Sequence, residues 1–221
     1  MIQLAKPHSV IDIIKVAILH GTQDPTWQSC AGTLVSDRHV VTGARCAAQD
    51  PSNLYVVVGE TNLALASDTQ RFIMAVAAIK RHPGFSYNYI TIEHDISVLE
   101  LSDAVDLVSF PHIKPACLPY SSEINDFVGQ SAVVTGWGDQ GGDSPSAIWT
   151  SHLHEISVEV YGNSNCGDTT DGTTPGMFCA GAMEGGKNHC MGDDGGPLVA
   201  SDPNNNGAMT LIGVASISKS V

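Results

Sequence analysis

Apolar and polar positions along this chain fall into short runs closed off by Gly, Pro, Asn or Asp, and no stretch keeps a 3.6-residue period for long. The runs rich in β-branched and aromatic residues predict strands at Lys15–Leu19, Gly32–Val35, Leu54–Gly59, Gln70–Ala78, Ile96–Leu101, Ser131–Trp137, Ile156–Tyr161, Met177–Ala180, Pro197–Ala200 and Met209–Ser216. Clusters such as Gln140-Gly141-Gly142-Asp143-Ser144-Pro145 and Asp202-Pro203-Asn204-Asn205-Asn206-Gly207 mark the loops between them. Many short strands without helices predict an all-β chain, folded as a barrel or a sandwich.

Composition narrows the class. The 221 residues are 43% hydrophobic, enough to bury a core, with no apolar run of membrane-spanning length, so a membrane partner is not expected. Met1-Ile2-Gln3-Leu4-Ala5-Lys6 does not read as a signal peptide. The net charge is -13, and Pro115 to Gly186 holds nine Asp or Glu and no Lys or Arg. That acidity excludes nucleic acid as a partner and serves solubility first, with a basic protein partner or loosely held cations as the alternatives. Six cysteines suggest disulfides, but their count leaves the pairing open.

Seven segments, in order, carry a resemblance. Cys30-Ala31-Gly32-Thr33-Leu34-Val35 is similar to C-G-G-S/T-L-I, and Val40-Val41-Thr42-Gly43-Ala44-Arg45-Cys46 to V-V-T-A-A-H-C. His94-Asp95-Ile96-Ser97-Val98-Leu99-Glu100-Leu101 is similar to N-D-I-A-L-L-x-L. Pro115-Ala116-Cys117-Leu118-Pro119, Val134-Thr135-Gly136-Trp137-Gly138 and Met177-Phe178-Cys179-Ala180-Gly181 follow. Cys190-Met191-Gly192-Asp193-Asp194-Gly195-Gly196-Pro197 then resembles C-x-G-D-S-G-G-P. Together they identify the chain as resembling the trypsin-like serine proteases over roughly residues 7 to 216.

The resemblance implies two antiparallel six-stranded β-barrels with a site between them, dividing near Pro111–Pro115: an N-terminal barrel over residues 1–113 and a C-terminal barrel over 114–221. The second barrel is expected to lack its last strand and C-terminal helix. Disulfides Cys30–Cys46 and Cys166–Cys179 are implied, leaving Cys117 and Cys190 unpaired and free for an intermolecular disulfide or oligomer. An extracellular, secreted protein is implied as well.

The site departs from the family. Serine catalysis needs a hydroxyl, a base to take its proton and an acid to orient the base. Asp95 matches the acid, but Arg45 stands at the base and Asp194 at the nucleophile. A guanidinium stays protonated at any working pH. From this degenerate triad the sequence predicts that the chain is not an enzyme but an inactive serine protease homologue acting by protein binding, as a cascade cofactor, decoy, carrier or adhesion module. Alternatives are a structural subunit of an extracellular assembly and a rewired metal-dependent hydrolase built on Asp193, Asp194 and His189. Opposite charges at adjoining positions predict that Arg45 bridges Asp95 and Asp194. Two unit charges about 4 Å apart attract by about 4 kcal/mol at an effective dielectric near 20, and desolvation offsets much of that.

Family members pair the aspartate before the nucleophile with a newly cut terminal ammonium. Asp193 has no such cation assigned, so the oxyanion loop Gly192, Asp193 and Asp194 is expected to be loose. At the specificity pocket Asn188 stands where trypsins carry aspartate, with His189 beside it, while Ser216 and Ser218 keep the pocket-edge strand and Ile217 replaces its tryptophan. No cofactor is expected. Glu60, Asn62, Asp68 and Gln70 fall where some members hold calcium, with Gln70 in place of a carboxylate. His152 and His154 share a strand face but have no third metal ligand nearby in sequence.

Overall fold

The computed structural model describes residues 14–47, 50–65, 71–88, 91–120, 127–141, 148–162, 166, 174, 176–182 and 184–218. The chain is all-β. Lys15–His20 (β1), Gln28–Leu34 (β2), His39–Thr42 (β3), Leu54–Val58 (β4), Phe72–Arg81 (β5) and Ser97–Leu101 (β8) close into a barrel in the order β1-β2-β3-β8-β5-β4. Ser86–Tyr87 (β6) and Ile92–Glu93 (β7) form a small hairpin on the way to β8. Ser131–Gly136 (β9), His154–Tyr161 (β10), Cys179–Gly181 (β11), Pro197–Asp202 (β12) and Ala208–Val214 (β13) make a second, five-stranded antiparallel sheet in the order β11-β10-β9-β12-β13. Among the described residues this second sheet is not closed into a barrel. The outer edge of β13 meets Cys117 through a parallel bridge to Thr210, with the Leu211 amide donating to the Cys117 carbonyl at 2.9 Å.

Three tight turns follow one local rule. Asp24, Asp50 and Asp202 each cap a single 3-10 turn that begins with proline, and their carboxylates accept from the amides of Thr26, Ser52 and Asn204. Aspartate satisfies an otherwise orphaned amide, and proline presets the first helical φ without needing a partner.

Strand β1 explains how the two halves join. It is buried on both faces, so its residues read as a continuous apolar run rather than an alternation. Val16 and Ile18 enter the barrel core with Leu34, Val40, Leu54, Val56, Leu99 and Leu101. Ala17 and Leu19 face the other way, onto Trp137, Leu153 and Val57. Trp137 is 1% exposed, and burying a large side chain of this kind stabilises by about 2–3 kcal/mol. A further cluster of Ile14, Val41, Ala116, Val199 and Leu211 seals the seam. Lys15 lies on the Trp137 side of β1 and is itself 1% exposed.

Two disulfides are formed, Cys30–Cys46 and Cys166–Cys179, closing separations of 16 and 13 residues. Loops of that length correspond to about 3 kcal/mol each in the chain-entropy account. Cys117 and Cys190 are free thiols.

Candidate functional site at the seam of the two sheets

Four loops converge at the seam. Arg45 follows β3, Asp95 precedes β8, Asp194 lies in the turn leading into β12, and Ser216 follows β13. The Asp95 carboxylate is central, with its side chain 3% exposed. It accepts from the Arg45 amide at 2.9 Å, from Arg45 Nε at 3.0 Å and from Ser216 Oγ at 2.7 Å. The same guanidinium donates through its NH2 group to Asp194 Oδ1 at 3.3 Å and to the Ser216 carbonyl. One side chain from the barrel therefore holds a carboxylate of its own half, a carboxylate of the other half and a backbone carbonyl. The guanidinium supplies only donors and the carboxylates only acceptors, so the three side chains satisfy one another.

Close backbone approach permits this. A Cβ on Gly43 would stand 3.3 Å from Asp95 Oδ1. Gly195 has φ +79°, and a Cβ there would lie 2.2 Å from Thr42 Oγ1 and 2.5 Å from the Ala31 carbonyl. The turn is thus pressed onto β2 and β3, and the Ala31 amide donates to the Asp194 carbonyl at 2.8 Å.

The expectation of a loose oxyanion loop is corrected. Asp193 is 8% exposed and does have a cation: Lys15 Nζ lies 3.3 Å from its Oδ1. Asp193 Oδ1 also accepts from the Gly138 amide at 3.0 Å, and Oδ2 from the Cys190 amide at 3.3 Å. Gly192 adopts φ +92°, and its carbonyl accepts from Gln28 Nε2. Sequence reasoning missed Lys15 because its partner lies on a distant segment. The available signal was a lysine at the head of an apolar run that is buried on both faces.

The residues expected at a specificity pocket turn toward one another. Ser216 is engaged by Asp95 and Arg45 as above. Ser218 Oγ donates to the His189 carbonyl at 2.7 Å, and Asn188 Oδ1 accepts from the His189 amide at 2.9 Å. Burial pushes the Asp194 carboxyl up, and Arg45 and His189 pull it partly back. Burial also holds the His189 imidazole below its ordinary value, against the opposing pull of Asp194 and Asp193, and its Nε2 is a buried atom with no hydrogen-bond partner among the described residues.

For a histidine held below its usual 6.5, the unfolded chain takes up the proton more readily. The stability this group contributes is complete above that ordinary value and is lost as pH falls below it. Urea unfolding at about pH 7.5 and about pH 5, on either side of the ordinary histidine range, should show the native chain losing more stability across that interval than His189→Gln.

Other candidates are placed as follows. Glu60 is 1% exposed, and its carboxylate is taken by Arg71 at 3.2 Å and by the amides of Thr61 and Asn62. Asp68 and Gln70 lie outside the described residues. His152 Nε2 faces the Asn62 side chain at 3.3 Å, and His154 Nε2 faces Thr150 Oγ1 at 3.4 Å. Among the described residues no group of three or more His, Cys, Asp or Glu is placed to hold a metal ion, and no helix is long and apolar enough to cross a membrane.

The closed barrel, the second sheet packed on β1 and the site at their seam define the trypsin architecture. The trypsin family model matches residues 7–221, and the chain belongs to that family. It is 36% identical to trypsin-3 of Salmo salar over 78% of this chain and 67% of that protein. It is 32% identical to the proclotting enzyme of Tachypleus tridentatus over 86% of this chain and 52% of that protein, and 31% identical to trypsin-1 of Astacus astacus over 85% and 76% respectively. The expectation that the chain is not an enzyme is corrected by these matches, since the relatives are named as trypsins and as a proclotting enzyme.

Proposed function

We propose that this trypsin-family chain is a secreted protein that works by engaging a protein partner through the face around its inter-sheet seam. The observation that carries the reading is an apolar rim beside the Asp194 turn. Ile148, Trp149 and Met191 are 57%, 57% and 59% exposed. The Trp149 ring lies against Gly192, within 3.1 Å of where a Cβ would stand. The Met191 carbonyl accepts from the Asp139 amide, and the Asp139 carboxylate in turn accepts from the Ile148 amide. Large aromatic and methionine side chains left in water next to a structured turn are the composition of a recognition surface. A net charge of -13 favours encounter with a basic partner. Two disulfides support an oxidising, extracellular setting.

The test is selection of displayed peptides on the native chain, with Trp149→Ala as the counter-target. Enriched peptides should be rich in Lys or Arg around an apolar residue, should lose about tenfold in affinity on Trp149→Ala, equivalent to about 1.4 kcal/mol, and should bind more weakly in high salt. Failure to enrich any peptide over the Trp149→Ala chain would contradict the proposal.

A further inference from the structure

The 190–196 turn is fastened from the opposite half of the molecule. Lys15 opens β1, whose backbone is paired on one side to β2 and on the other to β4, so its side chain starts from a rigid strand. Its ammonium has no exposed surface; it donates to the Thr135 carbonyl and lies 5.2 Å from the Trp137 ring centroid, 3.3 Å from Asp193 Oδ1. Burying a lysine in this way is costly unless it is paired and hydrogen-bonded. Asp193 is equally committed. A Cβ on Gly136 would fall 1.7 Å from its Oδ1 and one on Gly138 2.5 Å from its Oδ2, so two glycines form the floor on which the carboxylate rests. The backbone of Asp193 closes the turn, its amide donating to the Cys190 carbonyl and its carbonyl accepting from the Gly196 amide, both at 2.9 Å.

We propose that Lys15 is the positioning residue that fixes the 190–196 turn and thereby places Asp194 against Arg45, so that the order of this turn is built into β1. Without the lysine, the Asp193 carboxylate is left as an uncompensated buried charge. It cannot move deeper past Gly136 and Gly138, and its way to water draws the whole turn outward.

The experiment is amide hydrogen exchange on the full chain. Lys15→Met should speed exchange at Asp193, Gly195 and Gly196 at least fivefold while the Leu54–Val58 amides of β4 stay as they were. A rise below fivefold, or an equal rise in β4, overturns the proposal, since the latter marks a lysine that serves stability alone. If Lys15→Met does not fold, Lys15→Gln, which keeps a donor for the Thr135 carbonyl but not the charge, takes its place; the turn should exchange at least fivefold faster than in the native chain with β4 unchanged, and a smaller rise, or an equal one in β4, overturns the proposal.

Discussion

Gly195→Ala should destabilise the protein by about 3 kcal/mol or more, the sum of a left-handed backbone that costs about 1–2 kcal/mol for a residue with a Cβ and an overpacking strain of about 1–3 kcal/mol. The added methyl meets no flexible side-chain end. It meets Thr42 Oγ1 at 2.2 Å, the Ala31 carbonyl at 2.5 Å and the Gly43 amide at 2.9 Å, and two of these three are strand or turn backbone. Relief therefore requires the turn to lift from β2 and β3, which breaks the contact between the Ala31 amide and the Asp194 carbonyl. Chemical denaturation gives the loss directly. Gly176→Ala is the control, because its added Cβ meets nothing within 4 Å, and it should be close to neutral.

Arg45→Met should cost about 2–3 kcal/mol, less than the roughly 3–5 kcal/mol for breaking a fully buried ion pair, because the Arg45 side chain is 27% exposed. Asp95, 3% exposed in its side chain, loses its counter-charge while keeping the Arg45 amide and Ser216 Oγ as donors. Asp194 loses less, since its side chain is 34% exposed and water can replace part of the contact. Arg45→Lys should recover only part of the stability, because one ammonium cannot reproduce the spread of donors that Nε and NH2 present to two carboxylates and a carbonyl.

Much of the architecture was legible because strand formation here is written locally. The runs at Lys15–Leu19, Leu54–Gly59 and Ser131–Trp137 coincide with β1, β4 and β9 to within a residue or two. Strand β3 was less visible as a strand, since His39–Thr42 is only four residues long, and the two-residue β6 and β7 carry no period at all. The closing of the first barrel through β3-β8-β5 pairs strands far apart in the chain, information that resemblance supplies and periodicity does not.

The site divides in the same way. Arg45, Asp95 and Asp194 stood out because each occupies a recognisable motif and their charges are complementary, and the structure brings the three together. Lys15 sits in a strand where sequence pattern predicts an apolar residue, and its partner is 178 positions away. Trp149 gave no signal either, since a tryptophan in a loop reads alike whether it packs inward or faces water. The engagement of Ser216 with Asp95 depends on the path of the chain after β13, which no local pattern specifies.

Arg45 ties the barrel to the second sheet through Asp194. A double-mutant cycle on Arg45→Met and Asp194→Asn, read by chemical denaturation, tests it most directly. Each single variant removes one partner of the 3.3 Å contact, and the cycle isolates what the pair contributes together. A coupling above about 0.5 kcal/mol is the predicted result, and additivity within about 0.5 kcal/mol, the behaviour of independent sites, would contradict it.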